Sequence, residues 1–176
     1  RLYSVAEFFD FIAENPERDY ELIAGEITEV VSDGYASRVA LRVGSFIERF
    51  VDDKDLGRVT GADGGYMVAG KPYIPDVAYL SYARQPTLQQ ERGYNVLAPD
   101  LAVEVLSPTD DNLDVKVANY LAAGTVVWRI DPRKRTVIVF EPGKPPVEHT
   151  DADTLDGGEV LPGFNVTISD CFPKQK

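Results

Sequence analysis

The chain has 176 residues, 44% of them hydrophobic, which suits one compact domain with its own core; no apolar run approaches the ~20 residues a bilayer span requires, so no membrane partner is expected. One cysteine (Cys171) rules out an intrachain disulfide, and with one histidine (His149) there is no zinc site of the Cys/His kind and only a single, unsupported Cys/His nucleophilic pair. A formal net charge of −11 favours solubility but opposes nucleic-acid binding, which usually rests on a basic surface. The opening residues show no signal-peptide pattern, and Arg1 leaves room for an upstream piece; a cytoplasmic location is the expectation.

The predicted elements begin with a helix opened by Ser4 as N-cap, with Glu7 three residues on completing a capping box. Tyr20 to Val31 alternates apolar and polar residues about Ala24-Gly25, the pattern of a hairpin. A second helix is predicted over Ala36 to Val51, with Val39, Val43, Phe46 and Phe50 as its core stripe. Gly57 to Val68 is strand-like but broken by Gly61, Gly64 and Gly65. Ile74 to Leu80 is a short strand opened by Pro75, and Arg84 to Ala98 is polar, a loop or a short helix. Leu101 to Leu106 is a strongly apolar strand. It is followed by the turn Ser107-Pro108-Thr109 and a helix over Asn112 to Ala123, with Asp110 or Asp111 as cap and Gly124 as stop. Two strands, Val126 to Ile130 and Thr136 to Phe140, flank the turn Asp131 to Arg135, and Pro142 to Gly158 is loop-rich. The pattern is a mixed α/β (α+β) class, a mixed sheet with helices packed on it, in one domain spanning residues 1–176.

Chemistry concentrates in two strands. Glu104 sits in the middle of Leu101-Ala102-Val103-Glu104-Val105-Leu106, a run that otherwise reads as buried. An unpaired buried carboxylate costs several kcal/mol, roughly, so it needs a cation, a hydrogen-bond network or a metal. Asp76 has the same problem at the head of Ile74 to Leu80. A single strand acid is readily explained by pairing with Arg or Lys; two in one short chain, with a lysine close behind, point to a hard cation such as Mg²⁺ bound by oxygen ligands. That lysine, Lys116, shares a helix face with Asn112 and Tyr120. If the face looks toward the strand ends, the ammonium can orient or deprotonate a water, or neutralise charge on a phosphate. Arg38, Arg42, Ser45 and Arg49 line one side of the second helix and form a candidate phosphate-contacting edge, although Glu48, Asp52 and Asp53 nearby fit a merely solvated face equally well. The cluster Arg133-Lys134-Arg135 reads as a solvated turn.

Several segments together resemble the Uma-type family of restriction endonucleases, within the PD-(D/E)xK nuclease superfamily. They are Tyr20-Glu21-Leu22-Ile23-Ala24-Gly25-Glu26-Ile27, Pro75-Asp76-Val77, Pro99-Asp100 through Glu104-Val105-Leu106-Ser107-Pro108, Lys116 with Tyr120, Gly124, Trp128 through Asp131-Pro132, and Leu161-Pro162-Gly163-Phe164. The resemblance covers nearly the whole chain. It implies a restriction-endonuclease-like mixed sheet flanked by helices, an Mg²⁺ or Mn²⁺ site and phosphodiester hydrolysis of nucleic acid, DNA before RNA. By match, Asp76 and Glu104 hold the metal with the Val105 carbonyl, and Glu21 extends the acidic cluster. Lys116 takes the place of the superfamily lysine, since Leu106 stands where that lysine would be. Such folds often work as homodimers. The chain departs from the family in Gly34-Tyr35-Ala36-Ser37-Arg38, where relatives often carry a histidine. This departure and the charge of −11 leave a rival reading, a non-catalytic nucleic-acid or protein interaction module on the same fold.

Overall fold

A computed structural model describes residues 1–31, 33–87, 93–108 and 112–174. The first helix, α1 (Val5–Glu14), starts at Ser4, whose hydroxyl accepts the Glu7 N–H while the Glu7 carboxylate accepts the Ser4 N–H, the capping box expected from sequence. Strands β1 (Tyr20–Ile23) and β2 (Glu26–Glu29) form the expected hairpin. Its two-residue turn puts Ala24 and Gly25 at φ of 50° and 85°, the left-handed backbone that makes such a connection match the strand twist. Helix α2 (Gly34–Asp53) follows. Strand β3 (Gly57–Thr60) leads to a second hairpin, β4 (Tyr66–Val68) and β5 (Lys71–Tyr73), turning on Ala69-Gly70. The remaining elements are β6 (Val77–Ser81), β7 (Leu101–Val105), α3 (Leu113–Ala122), β8 (Val126–Asp131), β9 (Thr136–Phe140), β10 (Val147–His149), β11 (Thr154–Asp156), β12 (Asn165–Thr167) and a 3-10 turn at Ile168–Cys171.

Six strands make the main sheet in the order β10-β9-β8-β7-β6-β3, with only β7 and β8 parallel. That parallel pair is the one joined through α3, as a parallel connection requires. Alternation along β7 sends Leu101, Val103 and Val105 into a core shared with α2. Ala102 and Glu104 point to the other face, beneath α3.

The core stripe of α2 differs from the one predicted. Val39 and Val43 are buried, but Ala36, Ala40, Ile47 and Val51 complete the stripe, while Phe46 and Phe50 are only partly buried at its flank. Small and branched side chains let the helix lie close on the sheet, and the Phe50 ring meets Phe164 edge-on at 5.4 Å. The segment from Pro142 to Gly158 holds β10 and β11 rather than loop alone. Leu155, Leu161 and Phe164 from the C-terminal part close this core over Trp128. Of the predicted caps of α3, Asp110 and Asp111 lie outside the described residues, as does Thr109. Asn112 occupies the N-cap position without a side-chain cap bond.

Candidate active site

Four elements, β1, the start of β6, β7 and α3, meet at one end of the main sheet. Asp76 lies just before β6, and continuing the β6–β7 register, in which Val77 faces Val103, sets it opposite Glu104. The Val105 N–H donates to Asp76 Oδ2 at 2.7 Å, so the acid is fastened to the end of β7. Glu104 is 6% exposed, as are Lys116 and Glu21. The Lys116 ammonium bridges the two glutamates, 2.8 Å from Glu21 Oε1 and 2.8 Å from Glu104 Oε1. Glu21 is held a second time by the Ile74 N–H at 2.7 Å. The Tyr120 hydroxyl, one helical turn beyond Lys116, donates to Glu104 Oε1 at 2.9 Å. All four side chains proposed from sequence, with Val105, line one cleft of about 500 Å³, together with Asp19, Glu29, Asn112 and others.

The charges at this end do not balance, since three carboxylates stand beside one ammonium. Burial pushes Glu104 up; Lys116 pulls it back, Glu21 and Asp76 push it further, and the result is about 8. For Lys116, burial acts downward, but the Glu104 and Glu21 carboxylates outweigh it and hold the ammonium above the usual lysine range. Lys116 therefore keeps its proton near neutrality. It is a buried lysine, not a solvated one on an outer helix face. A carboxyl raised from 4.5 to about 8 takes up protons on folding, so the metal-free protein loses stability as pH rises through that window. Melting curves of the wild type and Glu104→Gln across it are expected to show this loss only in the wild type. Parallel curves would contradict the assignment.

Asp100 is a third strand acid, and its role is structural. It pairs with Arg84 at 3.1 Å and accepts the Ser81 N–H at 2.7 Å, at the opposite end of β7. The predicted arginine edge is not brought to the cleft, because Arg38, Arg42 and Arg49 are absent from its lining. Arg42 instead donates to the Asp170 carbonyl and lies over Phe46. Cys171 is buried in the core with its thiol pushed up to about 12 by burial, which removes it as a nucleophile. The sequence reading placed Tyr120 on the lysine's face but assigned it no contact; the four-residue spacing was the available signal.

The donor set suits a hard cation. Among the described residues, no three His, Cys, Asp or Glu side chains are grouped so as to hold a metal by themselves. Mg²⁺, however, commonly uses one or two carboxylates and keeps several waters. Asp76 and Glu104 supply two, and the uncompensated acid charge is the local condition such an ion relieves. Among the described residues, no helix is long and apolar enough to cross a membrane.

Comparison with known proteins gives two findings. The family described as "Putative restriction endonuclease" (Uma2) matches residues 5–169. The solved structure described as "a putative nuclease belonging to DUF820" from Anabaena variabilis ATCC 29413 superposes with a TM-score of 0.77 at 24% identity, covering 89% of this chain and 90% of that one, which establishes the likeness of fold. Comparison with curated proteins returns no match.

Proposed function

The chain belongs to the Uma2 family of restriction-endonuclease-like proteins, and from that premise we propose that it hydrolyses phosphodiester bonds of DNA with Mg²⁺ or Mn²⁺ in the cleft. The observation that carries this reading is the buried Glu21–Lys116–Glu104 bridge set beside Asp76 in an open cleft. Asp76 and Glu104 would hold the cation with the Val105 carbonyl. Bound there, it would lower the pKa of a water and polarise a phosphoryl oxygen. Lys116 stays protonated, so it acts as a fixed positive charge on the phosphate and not as the base. Glu21 keeps the ammonium in place through its paired contacts at 2.8 and 3.1 Å. Cutting both strands of a duplex would take two such sites, hence a homodimer.

Supercoiled plasmid incubated with Mn²⁺ is expected to be cut by the wild type and not by Asp76→Ala. Equal cutting by both would sink the proposal. The net charge of −11 opposes cleavage of nucleic acid and, with no histidine in Gly34-Tyr35-Ala36-Ser37-Arg38, leaves the rival reading of a non-catalytic interaction module. It predicts no cleavage by either protein and no rise in melting temperature with Mn²⁺.

A further inference from the structure

Glu104 is held in an asymmetric way. Its Oε1 takes two hydrogen bonds from one face of α3, from Lys116 at 2.8 Å and Tyr120 at 2.9 Å. No described residue donates to Oε2, and the side chain lines the cleft. The Tyr120 ring is fully buried and packs on Tyr73 with centroids 5.7 Å apart. Tyr73, equally buried, turns its hydroxyl elsewhere and accepts from Asn119 Nδ2 at 2.7 Å. Two neighbouring buried phenols thus differ in one respect: only one touches the acid.

We infer that Tyr120 is a positioning residue that, with Lys116, pins Glu104 Oε1 so that Oε2 faces the cation site. This rests on the metal reading above. A glutamate has several rotatable bonds, and a donor from rigid packing removes the swivel that would otherwise be frozen only on binding. The hydroxyl is the donor here because a phenol keeps its proton at neutral pH, while Glu104 Oε1, already facing the Lys116 ammonium, can only accept. Hydrogen-bond partners that orient a metal ligand typically change metal affinity by about 10–100-fold when removed.

The test is direct Mn²⁺ titration by calorimetry of the wild-type protein, Tyr120→Phe and Tyr73→Phe, with melting curves verifying that each is folded. Phenylalanine retains the ring at both positions, so only a hydroxyl is lost. Tyr120→Phe is expected to bind Mn²⁺ about 10–100-fold more weakly, and Tyr73→Phe to bind as the wild type does. Wild-type binding with unchanged affinity in Tyr120→Phe overturns the positioning role and leaves the metal site standing. An equal loss in Tyr73→Phe also overturns it, because the effect would then belong to the polarity of the pocket. Absence of Mn²⁺ binding by the wild type removes the metal reading and this inference together.

Discussion

Lys116→Met is expected to destabilise the fold by about 3–5 kcal/mol, the range seen when one member of a buried ion pair is removed. For a domain of this size each kcal/mol moves the melting temperature by about 2–4 °C, so the expected fall is roughly 6–20 °C. Methionine replaces the lysine stem at similar volume, so packing changes little. What is lost is the charge between Glu21 and Glu104, both 6% exposed. The two carboxylates then face each other with Asp76 nearby and no described cation between them. Because protonation relieves this conflict, and because losing Lys116 removes the charge that pulls Glu104 down, the deficit is expected to shrink as pH falls and Glu104 takes its proton. Adding Glu104→Gln to the same protein should restore part of the loss, and a double-mutant cycle would measure the coupling. Cleavage should fall below detection in the single variant. A melting temperature within a degree or two of wild type would show that the bridge contributes nothing.

Glu104→Gln separates chemistry from stability. Glutamine keeps an oxygen that can accept from Tyr120 and Lys116, and Lys116 keeps Glu21 as a partner. The variant removes the charge that burial most penalises, so its metal-free melting temperature near pH 8 is expected to equal or exceed that of wild type. Its cleavage rate is expected to fall by about 10²–10³, the scale for losing one preorganised electrostatic group from an active site. The two measurements move in opposite senses, as they do where an active site keeps a strained charge for function. Wild type at about 100 times its Mn²⁺ dissociation constant should gain about 2.7 kcal/mol of stability, and Glu104→Gln should gain little. An unchanged cleavage rate in this variant would remove Glu104 from the mechanism.

The site was legible in sequence to different depths. Glu104 stood out because its neighbours on both sides are apolar, and burial of that strand followed from the pattern alone. Lys116 and Tyr120 shared a face by spacing, but which way the face looked depended on the crossover from β7 to β8. Glu21 could not be placed by periodicity: in a hairpin, strand alternation sends a polar residue to one face, and only the fold puts Lys116, 95 residues away, on that face. The Arg38, Arg42 and Arg49 edge lies outside the cleft for a related reason. Helical spacing fixes angles around an axis, not what packs beside it, and the carbonyl of Asp170 claims Arg42. The same dipeptide Ala-Gly turns both hairpins; the first was recognised, but Pro72 interrupted the strand signal in the second. Strands of three residues, such as β10 and β11, carry too little alternation to show among prolines and glycines.

The β1–β2 hairpin is no part of the six-stranded sheet, yet it delivers Glu21. It is fastened by Leu22 and Ile23 in the interior, by Tyr94 reaching the Tyr20 carbonyl, and by the Glu21 contacts to Ile74 and Lys116. Two of these fastenings belong to the site itself. The N-terminal segment is therefore coupled to the state of the cleft. Weakening the lysine bridge loosens the hairpin, and the backbone amides of residues 20–29 should then exchange with deuterium by local opening, ahead of those in β7. Such exchange would report occupancy of the cleft from outside it, without any turnover being measured.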